Sequence, residues 1–132
     1  MSIVNFSISI NSYASSGSGC SITNNPQMVG FKWNRSIQGI ESDNVLSQSL
    51  EVPVSSSVTL FSGSDVRKFL YLETDSQLTL LINGTITQII KPLVSGNSVS
   101  PGIFVISSDI TSLVVTNASS TDVANVFFAT VE

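Results

Sequence analysis

Apolar and polar residues alternate along much of this chain with a period of two, and that alternation restricts the fold more than any other feature. Val4, Phe6, Ile8 and Ile10 are interleaved with Asn5, Ser7 and Ser9. Leu46, Gln48, Leu50, Val52 and Val54 are interleaved with Ser47, Ser49, Glu51 and Pro53. Successive side chains of a strand point to opposite faces, so such runs describe half-buried strands. No segment sustains the 3.6-residue period of an amphipathic helix. The expected class is all-β.

The punctuation supports short strands. Strands are expected over residues 4–10, 28–33, 46–54, 58–61, 68–73, 77–83, 85–90, 103–106, 112–117 and 125–131. Pro53 cannot donate to a ladder, which places residues 46–54 on an edge or at a bulge. Asn83–Gly84 is a strong hairpin dipeptide, because a type I′ turn needs two residues at positive φ. A second hairpin is expected around Asp75–Ser76. Turns are expected at 55–57, 63–65, 107–111 and 118–122, a loop at 95–102, and a polar connection over 34–44. About 8–10 short strands at this spacing describe a single-domain antiparallel β-sandwich, jelly-roll-like, over residues 1–132. Residues 11–27, rich in Ser, Gly and Asn, form a long polar loop or arm, and loops of this length are commonly functional.

Composition narrows the partners. Charged residues are only 11% of the chain and the net charge is −4. Polarity comes instead from 26 Ser, 10 Thr and 10 Asn, which favour turns and solvent faces over helix interiors. The five basic residues are scattered apart from Arg67–Lys68, which argues against nucleic acid and against an anionic membrane surface. Residues 1–10 lack the basic start and continuous apolar stretch of a signal peptide, and no run approaches the ~20 residues that span a bilayer. A soluble protein made in a reducing cytoplasm is expected. One cysteine excludes an internal disulfide. The N-x-Ser/Thr matches at Asn5, Asn34, Asn83 and Asn117 are those expected by chance at this composition.

The absence of histidine removes the commonest general base and metal ligand, and with it every Ser-His or Cys-His arrangement. Cys20 has no basic neighbour to lower its pKa and reads as an inert small residue. Zinc would lack ligands. The close carboxylate pairs Glu73/Asp75 and Glu41/Asp43 sit at expected strand ends, where solvated acids are ordinary. A calcium site from Glu41, Asp43 or Asp109 has no supporting D-x-D-x-D-G loop. Gly17-Ser18-Gly19 is followed by polar sequence and not by a helix, so it is no dinucleotide cradle. No catalytic residue, cofactor or metal is assigned. Aromatics offer another reading, a sugar-stacking patch of Tyr13, Phe31, Trp33 and Tyr71. Phe31 and Trp33 share a face, but large apolar side chains are mostly buried. Tyr13, in the polar arm, is the best exposed aromatic.

Four segments carry a resemblance: FLYLETD (69–75), LTLLING (78–84), GIFVISSDITSLVVTNAS (102–119) and ANVFFATVE (124–132). Together they resemble small β-sandwich virion proteins of tailed bacteriophages, among them capsid decoration (cement) and tail-associated proteins. The resemblance implies a non-enzymatic structural protein of the virion, made in the host cytoplasm, that stabilises a phage head by contacts with a major capsid or tail protein. It also implies a homo-oligomer, with a trimer favoured. The arm and the loops 95–102 and 118–122 are the expected contact surfaces, and Tyr13, Phe31, Trp33, Asn97 and Ser119 the expected contact residues. A positive mean hydropathy of +0.36 with so few charges also points to association. The alternative is a carbohydrate-binding or receptor-binding β-sandwich module. An enzyme working with Glu73 and Asp75 alone is the third reading.

Overall fold

A computed structural model describes residues 2–11, 32–42 and 45–132. The chain divides into two compact units, Met1–Glu41 and Ser42–Glu132. In the first, β1 (Ser2–Asn11) pairs with β2 (Lys32–Ser42) as a two-stranded sheet. β1 is the strand that the alternation predicts. β2 corrects the connection expected over residues 34–44. Its sequence is mostly polar, and ladder partners decide strand formation there more than side-chain hydrophobicity does. Residues 28–31 of the expected strand, and all but Asn11 of the expected arm, lie outside the described residues.

The second unit is all-β. β3 (Val45–Val52), β4 (Ser56–Thr74), β5 (Leu78–Ile82), β6 (Ile86–Ile90), β9 (Gly102–Asn117) and β10 (Ala124–Val131) form one antiparallel sheet in the order β3-β10-β4-β9-β5-β6. Between β6 and β9, β7 (Leu93–Ser95) and β8 (Ser98–Ser100) make a separate hairpin. Pro53 directly follows β3, an edge strand as its proline predicts.

Two strands are far longer than the alternation suggests. β4 has 19 residues and β9 has 16. They pair over two stretches, 56–62 with 112–117 and 67–74 with 102–110, and the register shifts between them. The sheet bends at that irregularity. Phe128 of β10 is in register with Leu72 of β4, yet its ring lies 6.4 Å from that of Phe61. An extended chain from residue 61 to 72 would span roughly 36 Å at about 3.3 Å per residue. β4 therefore crosses from one layer to another. The first layer is β3–β10–β4(67–74)–β9(102–110), and the second is β4(56–62)–β9(112–117)–β5–β6.

One core serves both layers. Leu70, Leu72, Val126 and Phe128 of the first meet Leu78, Leu80, Ile82, Leu113 and Val115 of the second, all at most 2% exposed. Burying each such side chain is worth about 1.5–3 kcal/mol, and these alternate residues are the ones the period-two pattern selects.

The layered arrangement corrects three expected reversals. The turn-like stretches 63–65 and 107–111 lie inside β4 and β9, where Gly, Ser and Asp serve a bulged crossing between layers. Asp75–Ser76 joins β4 to β5, which do not pair with one another, so it too connects layers. The Asn83–Gly84 turn is as predicted: φ is 52° and 68°, and the Thr85 amide donates to the Ile82 carbonyl at 3.1 Å. The expected loop 95–102 contains most of the β7–β8 hairpin, turned by Gly96–Asn97 with Gly96 at φ 59°. Among the described residues no helix is long and apolar enough to cross a membrane.

Candidate functional site

The expected contact residues have separate fates. Tyr13 and Phe31 lie outside the described residues, and Trp33 is placed only as far as its strand, β2. Asn97 is exposed at the tip of the β7–β8 hairpin. Ser119 is half-buried in the loop between β9 and β10, where its hydroxyl accepts hydrogen bonds from the amides of Thr121 (3.2 Å) and Asp122 (3.0 Å). Its carbonyl accepts from the Ser55 amide at 2.9 Å, and its own amide donates to Asn117 Oδ1 at 3.0 Å. Ser119 thus shapes the loop.

Asn117 anchors the same loop. Its side chain is fully buried, and Nδ2 donates to the carbonyls of Val52 (3.1 Å) and Asp122 (2.8 Å). The V-x-N-x-S turn of residues 115–119 is in this way a clamp across the ends of β3, β9 and β10. Asn83 plays a comparable part at the opposite side of the second layer. Its Oδ1 accepts from the amides of Thr111 (2.8 Å) and Ser112 (3.3 Å), and Nδ2 donates to the Asp109 carbonyl (3.0 Å). It supplies partners for the β9 backbone where the ladder with β4 is irregular.

A groove of about 400 Å³ opens where β3, β4 and β10 end together, between Glu51, Glu73, Asp75, Pro101, Asn125 and Phe127. The two candidate carboxylates both line it, but each is already engaged. Tyr71 Oη donates to Glu73 Oε2 at 2.7 Å. Asp75 Oδ1 accepts from the Asn125 amide at 2.8 Å and Oδ2 from Asn125 Nδ2 at 2.6 Å. Burial has the largest influence on Asp75 and alone would raise its pKa. The bonds from Asn125, then from Ser76, outweigh it and hold the carboxyl below its ordinary 3.8. Tyr71 is pushed up to about 12, first by burial and then by the hydrogen bond and charge of Glu73.

The outward row of this layer carries an aromatic pair that the sequence reading half missed. Tyr71 and Phe127 meet edge to face with centroids 6.2 Å apart. Tyr71 belongs to the predicted aromatic set. Phe127 does not, because Phe127–Phe128 reads as one apolar run; parity turns Phe128 inward and Phe127 outward. Among the described residues no three His, Cys, Asp or Glu are grouped to hold a metal.

The most distinctive surface lies elsewhere. From residue 76 to 108 the only charged residue is Lys91. That stretch holds six large hydrophobic residues that are half or more exposed: Ile86, Ile89, Leu93, Val94, Val99 and Ile103, at 50–69%. Val94 and Val99 are directly opposed across the hairpin, and Leu93 alternates to its other face, so both faces of the hairpin meet solvent. The hairpin springs from a close contact. A Cβ on Gly102 would stand 2.6 Å from the Lys91 carbonyl oxygen, so only glycine lets β9 begin beside the end of β6. No protein-family model, curated protein or solved structure matches this chain.

Proposed function

We propose that this chain is a non-enzymatic structural protein of a virion, of the capsid decoration (cement) type, which stabilises a tailed phage head through protein–protein contacts. The observation that carries the reading is the acid-free stretch 76–108, with Lys91 its single charge and six exposed large hydrophobics. Apolar side chains on both faces of the β7–β8 hairpin and of β6 meet solvent, and we read these two segments as association surfaces. The β7–β8 hairpin, with Asn97 at its tip, is the segment that reaches a neighbouring virion protein. Layer order gives further support. Along the chain from β3 to β10, the eight segments of the six-stranded sheet, with β4 and β9 each counted as two, visit the layers as first, second, first, second, second, first, second, first. We read that order as a jelly roll, an architecture used for capsid and lectin domains alike. The resemblance of residues 69–75, 78–84, 102–119 and 124–132 to phage virion proteins favours the capsid use. Particles lacking the protein are expected to release their genome at a lower temperature and to regain stability when it is added back. Heat stability that is the same with and without it overturns the decoration role.

A second reading has its own observation, the outward Tyr71–Phe127 pair beside the groove with Glu51, Glu73 and Asn125. Aromatic faces next to hydrogen-bonding groups suit a sugar ring. Glycan-array binding that Phe127→Ala abolishes would establish this reading, and no binding with or without calcium would remove it.

A further inference from the structure

We infer that the outer edge of β6, which pairs with no other described strand, is a homotypic interface, at which a second copy of this chain pairs its own β6 antiparallel to the first and joins the two sheets. The inference deepens the assembly reading by naming a partner for its apolar surface, and it holds whether or not the final particle is a phage.

Three observations lead to it. β6 ends the sheet order, so one side of its backbone faces no strand of its own sheet. Within its five residues, Ile-Thr-Gln-Ile-Ile, it has none of the charges, prolines or bulges that keep exposed edges from pairing, and Lys91 and Pro92 come only after its last residue. The core-facing side of β6 is also uncovered. Ile86 is in register with fully packed Ile82 and so points to the core side, yet it is 54% exposed, while Ile90 on the same side is buried. Among the described residues β6 therefore projects beyond its cover at Ile86 and Gln88, and no strand pairs with its outer edge.

Geometry and charge favour a second copy. Ile86 and Ile89 lie on opposite faces of β6 and are 54% and 50% exposed, so a strand paired to this edge meets an apolar side chain on each face. Each chain has a net charge of −4, and a contact made by residues 76–108, which hold no acid, brings no carboxylates of the two copies together. An antiparallel edge is self-complementary about a two-fold axis, so identical copies satisfy it without matched chemistry.

The test is the mass of the full-length chain by light scattering after size exclusion, for wild type, Thr87→Lys and Ile86→Lys/Ile89→Lys. All three positions are exposed, so folding should persist, as circular dichroism would check; Thr87→Lys alone carries the test if the double variant does not fold. Wild type is expected at twice the 14.0 kDa chain mass, with dimerisation about tenfold or more weaker in either variant. Val45→Lys, on edge strand β3, should leave the dimer intact. A monomeric wild type overturns the inference. A trimer overturns the two-fold pairing, and a dimer indifferent to the β6 lysines overturns the site. A dimer whose removal leaves phage heads equally heat-stable would keep the inference and sink only the decoration role.

Discussion

The strands β3 and β6 lie at the two ends of one sheet, and they are finished in opposite ways. β3 presents Glu51, stops against Pro53, and has its last carbonyl held by the buried side chain of Asn117. Leu46 and Leu50 on its core side pack against the cluster. β6 has no charge and no proline within its five residues, with Lys91 and Pro92 only after its end, no side-chain clamp comparable to Asn117 is seen on it among the described residues, and Ile86 on its core side is open. Both strands are short, exposed on the outside and attached through one neighbour. The difference teaches that the second unit is sealed on one side and unfinished on the other, and an unfinished apolar edge is where a partner belongs.

The largest expected effect breaks both sides at once. Phe128 is fully buried at the seam, packed against Phe61 of the opposite layer, and it has a place in the core of each. Phe128→Ala should cost about 3–5 kcal/mol in urea denaturation, as large core deletions do. If the layers did not share one core, the loss would be closer to that of an exposed residue.

Asn117→Ala acts on the sealed side alone. It removes the Asn117 donor to the Val52 and Asp122 carbonyls and the acceptor of the Ser119 amide. The expected cost is about 2–3 kcal/mol. Hydrogen exchange should quicken in β3 and in the 118–122 loop while β6 is unaffected. Uniform quickening across the sheet would mean that the clamp is not local.

Asn83→Ala tests the open side. It removes the bonds to the β9 crossing and puts alanine at a φ of 52°, for an expected loss of about 1–2 kcal/mol. Asn83→Gly keeps the backbone conformation and loses only the side-chain bonds, so it should be the milder of the two. Equal losses would show that turn strain is unimportant there.

These residues also show what the sequence made legible. Alternation picked out β3, β5 and β10, and Asn83–Gly84 located its turn, because period and turn chemistry are local properties. Gly63, Ser64 and Asp65 were equally well read as backbone punctuation. What they could not reveal is whether the chain reverses or, as in β4, carries on into another layer, since that is set by pairing with β9 far along the sequence. The same limit hid the continuity of β9 through Ser107–Thr111 and the clamp at Asn117. Asn117 stood in plain view within a turn motif, but its partner Val52 is 65 residues away. The unfinished edge was half visible: residues 76–108 lack acids on inspection, yet only the uncovered Ile86 separates an edge from a buried strand.

The smallest effect concerns the groove near the sealed side, where Asp75 and Asn125 join the end of β4 to the start of β10. The folded-state pKa of Asp75 is depressed, so its contribution is present above the unfolded value of 3.8 and is lost as pH falls through the folded one. Asp75 is largely exposed, and solvent screening keeps the effect to about 1 kcal/mol or less. Asp75→Ala should therefore be slightly less stable than wild type near neutral pH, and the gap should close once the pH is well below 3.8, where the wild-type carboxyl is protonated too. A gap that persists in acid would assign the loss to the packing of the β4–β10 corner and not to the charge. A gap that closes would show that the sealed side is finished partly by an ionised clamp, a device for which β6 has no counterpart.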